Sequence, residues 1–192
     1  MKRVRPTSGL LGQADLPEQR DLDRAREILR AYAAPSDDQA LERDRILAFI
    51  DEHSDAACRT CTPGHLTASA LLVHASGERA LLTLHRKLGL WLQLGGHCDG
   101  DANLAGAALR EAVEESGIDE LLIDPRPIDV DIHTIPARRE DPEHLHLDVR
   151  FVVWAPAGAQ FAVSDESIDL RWVSEDELVE LGSDESVRRL FR

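Results

Sequence analysis

Gly96-His-Cys-Asp-Gly-Asp-Ala-Asn-Leu-Ala-Gly-Ala-Ala-Leu-Arg-Glu-Ala-Val-Glu-Glu-Ser-Gly-Ile118 is the stretch whose reading decides the rest. Its first third is rich in glycine and aspartate, which predicts a loop. From about Asn103 the composition turns to Ala, Leu, Arg and Glu, which predicts a helix with Gly117 as its stop. Glu111, Glu114 and Glu115 fall at i, i+3 and i+4, so they share one helix face. Ala105, Leu109, Ala112 and Val113 point broadly the other way and give the helix a face to bury. Three neighbouring carboxylates repel by about 0.2–0.5 kcal/mol per exposed pair. A shared cation removes that cost, and hard oxygen donors suit Mg²⁺ or Mn²⁺. Arg110, one turn before Glu114, is placed to hold that carboxylate. The competing reading of a bare Glu-x-x-Glu-Glu pattern is a solvated acidic face.

The whole phrase resembles the Nudix box, Gly-x5-Glu-x7-Arg-Glu-U-x-Glu-Glu-x-Gly-U, where U is aliphatic. Gly96, Arg110, Glu111, Glu114, Glu115, Gly117 and Ile118 match it. Ala112 is small for its position, and Ala102 stands where the box has its first Glu. The resemblance implies an α+β Nudix fold, a mixed β-sheet in an α/β/α sandwich with the box as catalytic loop and helix. It implies hydrolysis of a nucleoside diphosphate linked to another moiety, by water attack at phosphorus. Carried over, Glu111, Glu114 and Glu115 ligate Mg²⁺ (or Mn²⁺) with the backbone carbonyl of Gly95, while Arg110 orients Glu114 or its neighbour. A further carboxylate often comes from a loop outside the box, and Glu166, with Asp165 behind it, is the candidate. Asp99 or Asp101 could partly replace the missing Glu, and Ala102 is not expected to abolish catalysis.

The chain has 192 residues and a formal net charge of −14. That charge argues against a surface that coats nucleic acid and makes a metal necessary for an anionic substrate. Three cysteines cannot all pair, and no apolar signal or spanning run is present, so a reduced, cytoplasmic protein is expected. No membrane partner is expected, and a homodimer is left open.

Residues 1–60 read as an N-terminal helical extension and 61–192 as the main domain. Leu22, Ala25, Ile28, Leu29 and Tyr32 repeat at helical spacing, closed by Pro35. Ser36 and Gln39 form a capping-box signature for a second helix with Leu41, Ile46, Leu47 and Ile50 as its stripe. Cys58-Arg-Thr-Cys61 lacks a second ligand pair and reads as linker cysteines rather than zinc or redox chemistry. Leu66–Val73 and Arg79–His85 read as a hairpin, and 87–96 as an extended entry to the box. Ile128–Ile135, Leu145–Ala155 and Leu170–Val173 are further strands around a charged turn at 137–143. Ser174 and Glu177 cap a last helix.

Within His144-Leu-His-Leu-Asp-Val-Arg-Phe, alternation puts His144, His146, Asp148 and Arg150 on one sheet face, with His133 nearby. Three readings stand: a satisfied polar face, a transition-metal site, or substrate recognition joined by His97. The expectation is that His97, His144, His146 and Asp148 face the same cavity as the Glu helix. The combination of Gly-His-Leu-Thr-Ala-Ser, Gly-Gly-His-Cys-Asp-Gly-Asp and His-x-His-x-Asp is similar to a bacterial Nudix subgroup. Two alternatives remain: a non-catalytic Nudix module that binds a nucleotide or protein, favoured by Ala102, and an enzyme resembling isopentenyl-diphosphate isomerase. The second shares a metal-binding Gly-His pair but lacks the intact Arg-Glu-x-x-Glu-Glu found here.

Overall fold

The computed structural model describes residues 5–138, 142–164 and 167–192. Helices α1 (Asp23–Ala31) and α2 (Asp37–Glu52) precede the strands β1 (Gly64–Val73), β2 (Ala80–His85), β3 (Trp91–Leu92) and β4 (Leu94–His97). The box helix α3 (Leu104–Ser116) follows, then β5 (Leu122–Ile123), β6 (Asp129–Ile135), β7 (His144–Trp154), β8 (Ser167–Val173), α4 (Glu175–Glu180) and α5 (Glu185–Arg189). Among the described residues the eight strands form one branched, mixed sheet of order β3-β2-β1-β7-β5, with β4 on β1, β6 on β7 and β8 on β2. The expected hairpin is short: β1 and β2 pair only at Leu72–Leu81 and Val73–Ala80. Beyond that point β1 turns its edge to β4, from Thr67–His97 to Ala70–Leu94. The first two box residues are therefore strand, not loop.

Strand alternation divides the core in two. Leu66, Ala68, Ala70 and Leu72 of β1, and Leu147, Val149, Phe151 and Val153 of β7, face a cluster shared with α1, α2 and α3. Leu71, Val73, Trp154 and Val173 face the other way, onto Leu178 of α4 and Val187, Leu190 and Phe191 at the C-terminal end. Helices thus cover both sheet faces, and α1 and α2 share their apolar cluster with the strands and α3. Ser36 caps α2 by accepting from Gln39 N at 3.2 Å. Gln39 does not close the capping box. Its side chain donates to Val130 O (3.0 Å) and accepts from Val130 N (3.1 Å), satisfying backbone of β6. Ile46 and Ile50 are buried as expected, whereas Leu41 is exposed. Ser174 and Glu177 form the expected capping box, Ser174 N donating to Glu177 at 2.8 Å. Gly117 ends α3 in the left-handed region (φ 64°), where a side chain is disfavoured.

Arg150, 1% exposed, ties the second face together. Its guanidinium reaches Asp148 (2.8 Å), Asp129 (3.2 Å) and Asp131 (3.2 Å), and donates to Ser186 of α5 at 3.0 Å. Arg189 adds contacts to Asp129 (2.6 Å) and Asp131 (3.1 Å). Burial pushes the Asp131 carboxyl up, but the bond from His133 and the Arg150 and Arg189 charges prevail and hold it well below the usual range. That stabilisation is complete above the unfolded aspartate pKa of about 3.9 and is lost as pH falls through the lower folded value. Arg150→Met leaves buried carboxylates without their central cation. We expect a loss of about 3–5 kcal/mol at neutral pH, read from urea denaturation, with the deficit shrinking in acid as the carboxylates protonate. An unchanged midpoint at neutral pH would contradict this account.

Candidate active site

Strand β4 joins the carboxylate helix to the polar row. Its alternation turns Leu94 and Gly96 toward α3 and Gly95 and His97 toward the opposite face. A Cβ on Gly96 would collide with the Glu111 carboxylate, and one on Gly95 with Ser69. Two glycines here are a requirement of close approach. Gly95 N donates to Glu115 Oε2 at 3.1 Å. Arg110 bonds Glu111 (2.9 Å) and donates to the His97 carbonyl (2.8 Å), while Glu114 lies 3.9 Å from it. The expected Arg110–Glu114 pair is present but long, and Arg110–Glu111 is the shorter contact, because Glu111 turns inward toward β4. The three carboxylates are not one solvated face: Glu115 is buried, Glu111 partly buried and Glu114 exposed. Burial pushes the Glu111 carboxyl up, outweighing Arg110, with Glu114 and Asp99 pushing the same way.

The position of Ala102 has a packing explanation. It is fully buried, and its N–H donates to Gln19 O. Asp101 accepts from Gln19 N (3.0 Å) and Asn103 N (2.8 Å), and Asn103 donates to Pro17 O (3.1 Å). The segment leading into α1 therefore lies over the place where the box has its first Glu. Asp101 anchors that segment and Asp99 pairs with Arg59 at 2.7 Å, so neither is free to replace the Glu.

The parallel register of β1 on β7 lays the polar residues out in rows. His65 lies beside His146, which lies beside His133 of β6. One step along, His97 lies beside Thr67, Thr67 beside Asp148, and Asp148 beside Asp131. This is the face away from α1, α2 and α3, whose apolar contacts are with Leu66, Ala68, Leu147 and Val149. The expectation that His97, His144, His146 and Asp148 face the same cavity as the Glu helix is therefore not met: strand alternation sends the apolar residues to α3 and the polar row to the other side of the sheet. Asp148 is buried and accepts from Thr67 (3.0 Å), Ser69 (2.8 Å) and Arg150 (2.8 Å), so its carboxylate is engaged within the sheet, one row along from the histidines. The ring of His65 is 4.9 Å from that of His146 and 5.0 Å from those of His144 and His97; His97 and His146 are 5.2 Å apart. Burial lowers His65, takes His97 down to about 4 and His146 down to about 2. His133 is the exception: burial lowers it, but Asp131 at 3.0 Å prevails and raises it.

His65, Thr67 and Ser69, quoted within Gly-His-Leu-Thr-Ala-Ser but not singled out, join the polar face, and Gln93 donates to Asp148 there at 3.5 Å. The alternation of His65, Thr67 and Ser69 with Leu66, Ala68 and Ala70 is a period-two signal that marks the polar face. Cys58, Cys61 and Cys98 are free thiols; burial pushes Cys61 up to about 11, which keeps it protonated and unreactive. Glu166 and Asp165, and the middle of the charged turn at 137–143, lie outside the described residues. No helix among the described residues is long and apolar enough to cross a membrane.

This sheet, with the box helix packed under β4, is the fold of the Nudix hydrolases. The C. elegans Ap4A hydrolase is similar over 66% of this chain and 92% of its own, with a TM-score of 0.54 and 17% identity. The E. coli dihydroneopterin triphosphate pyrophosphohydrolase is similar over 66% and 91%, with a TM-score of 0.55 and 18% identity. At such identities the likeness is one of fold. Comparison with curated proteins gives no match. The model of the NUDIX domain matches residues 63–192, and the chain belongs to the Nudix family, whose enzymes are pyrophosphohydrolases.

The cover over Ala102 generates a prediction. Ala102→Glu forces a carboxylate against the segment at 16–19, and we expect a loss of at least about 2 kcal/mol in thermal or urea unfolding. A variant as stable as the parent would show that this segment does not close over the position.

Proposed function

We propose that the chain hydrolyses the diphosphate bond of a nucleoside diphosphate linked to another moiety, with water attacking phosphorus. The observation that carries this reading is the seating of Glu111 and Glu115 against Gly96 and Gly95, with Glu114 exposed on the same helix. These hard oxygen donors fit Mg²⁺ or Mn²⁺, and the upward push on the Glu111 carboxyl is the stress that a cation relieves. Glu111, Glu114, Glu115 and the Gly95 carbonyl would hold the ion. When bound, such an ion neutralises pyrophosphate charge, polarises the phosphorus centre and lowers the pKa of bound water. Arg110 fixes Glu111 and ties α3 to β4 through the His97 carbonyl.

His97, His144 and His146 form the substrate-side wall in this reading. Neutral imidazoles there donate N–H groups to phosphate oxygen without adding buried charge. Asp148 braces the neighbouring row through Thr67, Ser69 and Arg150, and Glu166 is the candidate for a further carboxylate. The substrate is a small nucleotide derivative rather than a nucleic acid polymer, and the enzyme works in the cytoplasm. A non-catalytic module draws its support from Ala102, but the segment covering that position accounts for the alanine by packing.

Glu115→Gln tests the assignment. A glutamine Oε1 still accepts from Gly95 N, so the fold should hold while the charge is lost. We expect kcat on any substrate the parent hydrolyses to fall at least a hundredfold, about 2.7 kcal/mol. Chelation should abolish parental turnover, and added Mg²⁺ or Mn²⁺ should restore it. Near-parental activity of the variant would overturn the reading.

A further inference from the structure

His65 is a buried imidazole whose one polar neighbour on the backbone, Cys61, is not in good hydrogen-bond geometry. It is 4% exposed, and neither ring nitrogen makes a hydrogen bond. An unsatisfied buried polar group costs about 1–3 kcal/mol, so a side chain kept in this state needs a reason. Its surroundings supply one. The rings of His97, His144 and His146 stand 4.9–5.0 Å from it. One nitrogen from each of His65, His144 and His146 lies within 4.8 Å of the others. Nitrogens sharing a tetrahedral ion at about 2.0–2.1 Å sit about 3.4 Å apart, which modest ring rotations reach from here.

We propose that His65, His144 and His146 form a second metal site, for a divalent transition metal of the zinc class, with His97 beside its open position. Imidazole nitrogen selects such ions, whereas the carboxylate set on α3 selects hard ones. The support expected behind a metal-bound histidine is present: His144 Nδ1 meets the Pro142 carbonyl at 2.8 Å, which orients Nε2 as the ligand. Three protein nitrogens and one open position are the pattern of zinc sites that meet a substrate or water rather than purely structural ones. Its ligands are not those of α3, but His144 and His146 are shared with the wall of the diphosphate reading: with the ion bound, its open position, and not the N–H groups of these two rings, meets the phosphate.

The test is metal binding by the full chain, stripped with chelator and titrated with Zn²⁺ and with Co²⁺. We expect one equivalent of tightly bound zinc and visible Co²⁺ bands of a low-coordinate nitrogen site, with no thiolate charge-transfer band. His144→Ala and His146→Ala should each weaken zinc binding at least tenfold and abolish the rise in Tm that zinc gives the parent. Glu115→Gln should leave zinc binding intact. His144→Ala, at a half-buried strand end, keeps the test valid if changes at His65 prevent folding. Absence of zinc binding by the folded parent overturns the proposal. So does binding that survives both histidine variants, or that is lost in Cys61→Ser, which would assign the ion to the other ligand group, His53, Asp55 and Cys61.

Discussion

The parallel pairing of β1 with β7 is the constraint on which the rest depends. It runs in register from Gly64–Leu145 to Val73–Trp154. Strand side chains alternate, so a slip of one residue would send every apolar residue of β7 to the polar face and every histidine into the core. In the observed register Leu66, Ala68, Leu147 and Val149 meet the helices of the first layer. The same register puts His65 beside His146, Thr67 beside Asp148 and Ser69 beside Arg150. One pairing decision thus creates both the core and the polar face.

That face would be costly without internal compensation, because buried carboxylates and imidazoles lose their hydration. Arg150 provides it at one end, surrounded by Asp129, Asp131 and Asp148 and fastened to α5 through Ser186. Breaking this group would leave charges buried without partners, whereas the intact group fixes the strands relative to the C-terminal helices. The other end carries the histidines, where burial favours neutral rings. Strand β4 connects this face to α3: Gly95 gives its N–H to Glu115 while its missing Cβ makes room for Ser69, which bonds Asp148. Carboxylate helix and polar row, on opposite sides of the sheet, are therefore linked through the backbone of β4.

How far this was legible in the sequence follows from the range of each interaction. The i, i+3, i+4 carboxylates, the Gly117 stop and the caps at Ser36 and Ser174 are local, and each appears where the pattern predicts it. The alternation of β7 is also local and separated its two faces correctly. Contacts between distant segments were not legible. Nothing near Gly96 announces that Arg110 will hold Glu111 more closely than Glu114; that follows from the depth at which α3 packs under β4. The isolated Ala102 reads as a defect in the motif until the segment at 16–19 is seen above it. His65 acquires its meaning only from the β1–β7 register, which pairs residues 81 positions apart. Gln39 shows the same limit in the helical layer, leaving its cap to satisfy β6.

The central claim is that α3 and β4 together make a site for a hard divalent cation. Anomalous diffraction from crystals soaked in Mn²⁺ addresses it most directly. The account predicts a manganese peak bounded by Glu111, Glu114, Glu115 and Gly95. A peak at the histidine cluster alone, with none at the carboxylates of α3, would contradict it.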